Sequence, residues 1–271
     1  MNNLKELICK CGAAQAGVIS YSDCDIINQR LIDKLSFPPK SVFIGIIPYY
    51  THHCDKPRTI SAYALPYDYH NYIKCVCENI VSQAQEAYPQ ANFAWFGDHS
   101  PINEKLATAK AGLGIIGEHS LLITPEYSSF VFLFEILTDI EFNVESHEIQ
   151  SCEKCGRCIS SCTVDIFNKS SCLSAITQKK GDLDDKEKLL IRNSGCVWGC
   201  DICQIVCPHT TQAINSGSIY SEIDWFNNNI ITTPTPESVN NIEDFSKRAY
   251  SWRGTSTILR NINIVNSTTE E

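Results

Sequence analysis

Apolar positions along this chain alternate between two periods, and the changes of period mark out its elements. Leu4, Leu7, Ile8, Cys11 and Ala14 recur at helical spacing, which predicts an amphipathic helix over 3–16 closed by Gly17. Ser41-Val-Phe-Ile-Gly-Ile-Ile-Pro48 is an unbroken apolar run after Pro38-Pro39 and predicts a buried strand. A helix is expected from about Tyr69 to Ala87, then a strand over Phe93–Phe96 and a helix over Glu104–Ala111 ending at Gly112. Ser129 to Ile140 predicts a long apolar strand. Strands alternating with helices predict a layered α/β or α+β domain, of which α+β, a mixed sheet flanked by helices, is the expectation. The polar stretch Glu141–Gln150 reads as a boundary, and Thr233-Pro-Thr-Pro-Glu237 as a turn. Three parts are therefore expected: a domain over 1–145, a second over 146–215, and an extension over 216–271 packing on the core.

The middle part carries the chemistry. Cys152, Cys155, Cys158 and Cys162 form C-x2-C-x2-C-x3-C, and Cys200, Cys203 and Cys207-Pro208 repeat its second half. That is the spacing of bacterial two-cluster ferredoxins, where three Cys of a run hold one [4Fe–4S] cube and the fourth reaches the other. A zinc site would use C-x2-C pairs without a fourth Cys at x3 followed by Pro. One cube is expected on Cys152, Cys155, Cys158 and Cys207. The other takes Cys162, Cys200, Cys203 and either Cys172 or Cys196, which spacing leaves open.

Composition narrows the class. In 271 residues, 43% hydrophobic content supports a substantial core, and a net charge of -9 argues against a broad basic face for nucleic acid. With no leader-like stretch at the start, fifteen Cys point to a reducing cytoplasm rather than a disulfide framework. No apolar run approaches a membrane span.

Other candidates are weaker. Asp68-x-His70 begins like the Asp-x-His-x-x-Gly cobalamin pattern, but Ile73 stands where Gly is needed, so the likeness is accidental. Gly112-x-Gly114-x-x-Gly117 follows a helix and opens none, so it is no dinucleotide fingerprint; it is expected to let the backbone approach something closely. By position alone, Asp98 to Pro101 precedes a helix and suits Asp98 to an N-cap.

Several stretches together resemble the epoxyqueuosine reductase family. They are Ala62-Tyr63-Ala64 with Asp68-Tyr69-His70, Asp98-x-x-Pro101-x-x-Glu104, Ala111-Gly-Leu-Gly-Ile-Ile-Gly117, the four-Cys run, Cys172-Leu-Ser174 with Thr177, Gly199 to Pro208, and Arg260-Asn261. The resemblance implies a cobalamin-binding, nitroreductase-like first domain joined to the two-cluster module, with the corrin between them. It implies Cys172 rather than Cys196 as the last ligand, and Asp98 as catalytic acid, desolvated behind Trp95-Phe96. Cobalamin contacts are expected from Tyr63, Asp98, Ser100, Glu104, Gly112, Gly114, Gly117, His119, Ser120, Ser174 and Thr177.

The implied substrate is epoxyqueuosine in the anticodon arm of tRNA, held by Lys179-Lys180, Lys247, Arg248, Arg253 and Arg260. The implied protein is a monomer fed by a low-potential donor such as ferredoxin or flavodoxin. Glu118 replaces the family's Lys, Thr163 replaces Pro, and His209-Thr210 replaces Trp-Asn. The family's longer members continue into a helical-repeat domain, whereas this sequence stops at Glu271, so fewer phosphate contacts are expected. Two other classes stay open: a small-molecule reductase like the reductive dehalogenases, and an electron carrier without chemistry of its own.

Overall fold

The structure is a computed structural model that describes residues 2–166, 168 and 171–267. The chain divides into two compact units, one of residues 1–48 and 70–155, the other of 49–69 and 156–271. The division differs from the expected one in two ways. Residues 49–69 join the later part of the chain, and 216–271 belongs to the same unit as the cysteine module instead of forming a separate extension.

The first unit is built on a four-stranded sheet. Its strands are β1 (Gln15–Ser20), β2 (Ser41–Pro48), β3 (Phe93–Gly97) and, after a two-residue hairpin of β4 (Ile115–Ile116) and β5 (Leu122–Ile123), β6 (Val131–Thr138). The order is β1-β2-β6-β3, and every pairing is antiparallel, where a mixed sheet was expected. β2 is buried along its whole length, which explains its unbroken apolar run. Gly45 is required there, because a Cβ would stand 2.1 Å from the ring of Phe134 across the β2–β6 pair.

Ile19, Val42, Ile44, Ile102, Ala107 and Leu137 form a core cluster on this sheet. The helix Tyr69–Ala87 buries Ile73, Val76, Cys77, Ile80 and Ala84, one face at helical spacing. The first helix ends at Lys10, not near residue 16. Gly12 turns the chain at φ +124 and Gly17 lies inside β1, so the helical period had been read through a turn into a strand.

The segment 141–150 is polar yet tied down. Phe142 meets Phe43 edge-on at 5.2 Å, Ser146 bonds Asp23, and Ile116 donates to the Gln150 carbonyl at 2.8 Å. It is a strap of the first unit, and the division falls between Cys155 and Gly156.

The second unit is helical. Leu173, Ile176, Leu183 and Ile191 form its core around the helices Leu173–Gln178 and Asp185–Ser194, with Cys196, Cys200, Ile202, Ile264 and Val265 against them. A capping box of Asp184 and Glu187 starts the second of these helices, and left-handed Gly195 ends it. Trp198 is fully buried and donates its indole N–H to the Tyr63 hydroxyl at 2.8 Å. The helix Thr255–Asn266 closes the unit, and Asn261 donates to the Thr177 and Val197 carbonyls at 2.7 and 2.9 Å.

Candidate functional site

In the second unit four thiols stand close enough to act on one another. Burial, together with the charges of Cys200, Cys172 and Cys162, raises Cys203 to about 12. Burial likewise raises Cys200 to about 11, with contributions from Cys172 and Cys162. Crowded, partly buried thiols hold their protons until a metal displaces them. Cys172 sits at the N-cap of the helix Leu173–Gln178, and Cys203 lies on the helical turn Ile202–Ile205.

Cys196 lies beside this group, raised to about 12 by burial and by the Cys200 charge, and differs from it in its hydrogen bonds. Its S–H donates to the Gly199 carbonyl at 3.0 Å and to the Trp198 carbonyl at 3.5 Å. A thiol used as a donor to two carbonyls is committed to the protonated form that a cluster ligand gives up.

Among the described residues, no three His, Cys, Asp or Glu side chains converge as ligands of a single metal ion. A [4Fe–4S] cube spreads its thiolates over separate irons, so its ligands need no such convergence. Cys158 and Cys207 are buried, and Cys155 is exposed. In the first unit the Cys152 sulfur accepts the backbone N–H of Glu118 at 3.3 Å, the kind of hydrogen bond that tunes a cluster's potential. The donor set therefore fits [4Fe–4S] clusters.

Asp201, between two of these cysteines, was not singled out from sequence. It is 6% exposed and accepts from the Arg58 guanidinium at 2.9 Å, the Ala62 N–H at 2.7 Å and the Ser61 hydroxyl. A carboxylate so ligated fixes the loop that carries Cys200 and Cys203. Its only signal was a charge inside the C-x2-C pair.

Asp98 lies in the first unit at the end of β3. Its side chain is 61% exposed, so it is not desolvated behind Trp95-Phe96 as expected. Strand residues alternate faces and the loop turns outward, with Asp98 in the left-handed region at φ +63. Nor is it the N-cap: Asn103 holds that position and accepts the Leu106 N–H at 3.4 Å. His70 Nε2 stands 3.1 Å from Asp98 Oδ2. Sequence reasoning set His70 aside because it tested a linear motif and not a pairing across 28 positions. Asp98, His99, Asn103 and Lys105 line an open hollow of about 330 Å³.

The other expected cobalamin contacts are mostly engaged inside the protein. A Cβ on Gly112 would meet His147 at 2.7 Å, on Gly114 the Ile123 carbonyl at 2.5 Å, and on Gly117 the His119 ring at 2.5 Å. The close approach these glycines permit is to the chain itself. His119 is buried, and its Nδ1 accepts the Leu121 N–H at 3.2 Å. Ser100 is buried and donates to Glu135, while Glu104 turns its carboxyl inward. Thr177 is fully buried and accepts the Gly199 N–H at 2.9 Å, and Ser174 bonds Gln178. Tyr63 accepts from Trp198 and meets Tyr69 edge-on. Ser120 is exposed on a left-handed turn.

The expected phosphate-binding cations are also largely engaged. Arg248 is 3% exposed, paired with Asp244, bonded to the Leu65 and Asn229 carbonyls and stacked over Tyr67. Arg260 donates to the carbonyls of Lys179 and Gly181 and to Asn261. Lys179 pairs with Glu187 and Lys247 with Glu243, while Arg253 stacks on Trp252. Lys180 is exposed. Among the described residues no helix is long and apolar enough to cross a membrane.

Residues 151–210 match the model of the 4Fe-4S double cluster binding domain. Over 161 residues the chain is 35% identical to an epoxyqueuosine reductase of Aliivibrio fischeri, covering 57% of this chain and 43% of that protein. Over 265 residues it is 27% identical to an epoxyqueuosine reductase of Lactococcus garvieae, covering 92% of this chain and 75% of the relative. The matched stretches thus span from under half to three quarters of these relatives' own length. The fold matches a crystal structure of epoxyqueuosine reductase with a tRNA-Tyr epoxyqueuosine-modified stem loop. There the TM-score is 0.79 and the identity 21%, over 97% of this chain and 80% of the other. Residues 151–210 thus match a double-cluster module, and the chain as a whole is similar in sequence and in fold to epoxyqueuosine reductases.

Proposed function

We propose that this chain is a cytoplasmic, cobalamin- and iron–sulfur-dependent reductase that converts epoxyqueuosine to queuosine in tRNA, as its relatives' names imply. The observation that carries the reading is the cysteine set. Cys162, Cys172, Cys200 and Cys203 crowd together while Cys196 is committed to backbone carbonyls. Cys152, Cys155, Cys158 and Cys207 are proposed for the other cube from their spacing.

Removing an epoxide oxygen as water takes two electrons and two protons. Two low-potential clusters in series suit delivery of the electrons one at a time from a ferredoxin or flavodoxin to the monomeric enzyme. When bound, cobalamin in its reduced cobalt states supplies a strong nucleophile or one-electron donor. The glycine triad, His119 and Thr177 are engaged in the protein's own packing, whereas Ser100 and Glu104 line the hollow beside Asp98 and would hold cobalamin there. No step is assigned to the corrin here. Asp98 is the proton donor to the leaving oxygen, exposed at the mouth of an open hollow, and His70 orients its carboxyl and can return a proton to it.

A second reading is favoured by the engaged cations. If Arg248, Arg260, Lys179 and Lys247 stay tied to carbonyls and carboxylates, the substrate is a small epoxide or halide. Anaerobic turnover with epoxyqueuosine-containing tRNA, cobalamin and a strong reductant separates the two. Queuosine in the tRNA supports the first reading. Reduction of a small epoxide or halide without tRNA turnover supports the second, and corrin-independent electron transfer alone leaves an electron carrier.

A further inference from the structure

A carboxylate in the middle of an apolar strand needs a reason. Glu135 lies on β6 between Phe134 and Ile136 and is 1% exposed. Its Oε1 accepts the Ser100 hydroxyl, and that hydroxyl oxygen accepts the Ile102 N–H at 3.0 Å. Its Oε2 is buried and has no N–H or hydroxyl donor. The same is true of Glu104 Oε1, and the two buried carboxyl groups stand close enough to act on each other. Two carboxylate oxygens can bond only through a proton. Glu104 also accepts the backbone N–H of Asp98. The pair thus touches Asp98 and Ser100 in the turn that holds the proposed acid and contains Glu104, which opens the helix after that turn.

We propose that Glu104 and Glu135 are positioning residues that share one proton, and that this acid pair docks the Asp98 turn onto β6. The link to catalysis rests on the reading of Asp98 as proton donor; the docking itself does not.

The electrostatics agree with the geometry. Burial raises Glu104 to about 7, and the Asp98 charge adds to the rise, against the bonds from Glu135 and the Asp98 N–H and the charge of Lys105. Burial raises Glu135 well above the carboxylate range, and Glu104 adds to it. The remaining titratable neighbours of Glu135 are the Cys24 and Cys77 thiols, both raised by burial. One shared proton lets each carboxyl keep its other oxygen as acceptor, for Asp98 N–H on one side and Ser100 on the other. Losing that proton places two negative charges side by side in a buried site, which like-charge repulsion opposes. The turn also holds a non-glycine residue at positive φ, a conformation that persists only when its surroundings enforce it.

The sign for stability follows. The folded protein keeps a proton that an unfolded glutamate releases near pH ~4.3. Stability therefore falls as pH rises from there, through about 7 for Glu104 and on above the carboxylate range for Glu135.

Three readouts that need no turnover test the proposal on the full chain with its clusters. Wild type is expected to show a buried carboxylic acid C=O stretch in the infrared at pH 7, lost in Glu135→Gln and shifted in frequency in Glu104→Gln, where Glu135 keeps its proton but loses its partner. Amide hydrogen exchange over 98–104, corrected for intrinsic rate, is expected to quicken roughly ten- to hundredfold above the pair's titration, the worth of a hydrogen bond to a charged group. Glu135→Gln should hold its protection across that range, because the amide donates to Glu104 permanently. Its melting temperature should lose the downward slope with pH. Glu135→Leu should open the turn at every pH; if it does not fold, the Gln variants carry the test.

Absence of the acid band in wild type, or protection in Glu135→Gln that falls with pH as in wild type, overturns the proposal. Intact docking behaviour without turnover of epoxyqueuosine tRNA would instead overturn the functional reading and leave the pair standing.

Discussion

The cysteine run and the segment from Asp98 to Gly117 were equally prominent as patterns, yet they differ in what the pattern meant. Cysteines around a cube must reach a rigid object of fixed size, so their spacing is a local constraint that any fold has to respect. The glycines, Ser100, Glu104 and His119 carry no such constraint. Whether they face a ligand or their own chain depends on packing: the glycines and His119 pack against the chain, while Ser100 and Glu104 also line the hollow beside Asp98. Chemistry that is local in sequence can be read from sequence, whereas orientation cannot.

The largest effect expected from probing this contrast is at Asp98, whose side chain is 61% exposed beside the hollow. Asp98→Asn should retain clusters and fold while single-turnover rates fall by roughly 10²–10⁴, the range for a positioned general acid. His70→Gln should lower the rate less. Full activity in a folded Asp98→Asn protein would remove the acid from the account.

Next comes the support of the cysteine loop. Asp201→Ala leaves the Arg58 guanidinium, 12% exposed, without its carboxylate. Breaking such a buried pair costs about 3–5 kcal/mol. Chemical denaturation under argon should show a loss of that order; a loss below about 1 kcal/mol would mean that the loop is held otherwise.

A smaller effect separates packing from cofactor approach in the glycine triad. Gly114→Ala puts a methyl 2.5 Å from the Ile123 carbonyl. Destabilisation of about 1–3 kcal/mol, the usual cost of overpacking, is expected with cobalamin affinity unchanged. Weaker cobalamin binding at unchanged stability would restore the triad as a contact.

The smallest effect concerns tRNA. With most tail cations engaged, binding should fall only shallowly with salt, by a slope of about 0.9 per duplex phosphate contacted and few contacts in all. A steep dependence would show that the engaged cations release their partners to bind RNA.

Much of the fold was legible. The strand Ser41–Pro48 and the helix Tyr69–Ala87 were read with the bounds they have, because an unbroken apolar run and a clean helical stripe admit few alternatives. The first helix was read too long, since apolar residues of β1 continued its period past the turn at Gly12. The polar strap 141–150 was read as a boundary because backbone hydrogen bonds and one aromatic contact hold it, and neither leaves a periodic trace.

Arg248 and Arg260 show the limit for charge. A cation bonded to carbonyls looks the same in sequence as one facing solvent. Glu135 had a signal that went unused: a lone charge inside an apolar strand is costly unless partnered, so it implied a buried partner.

The last ligand of the second cube is either Cys172 or Cys196, and the two thiols can be told apart directly. Iron quantitation with EPR, on protein reconstituted anaerobically, does so in Cys172→Ala and Cys196→Ala. Cys196→Ala is expected to keep the iron of both cubes and the wild-type signals, because its thiol only caps backbone carbonyls. Cys172→Ala is expected to lose or cripple one cube and keep the other. Loss of a cluster in Cys196→Ala with both cubes intact in Cys172→Ala would contradict the account.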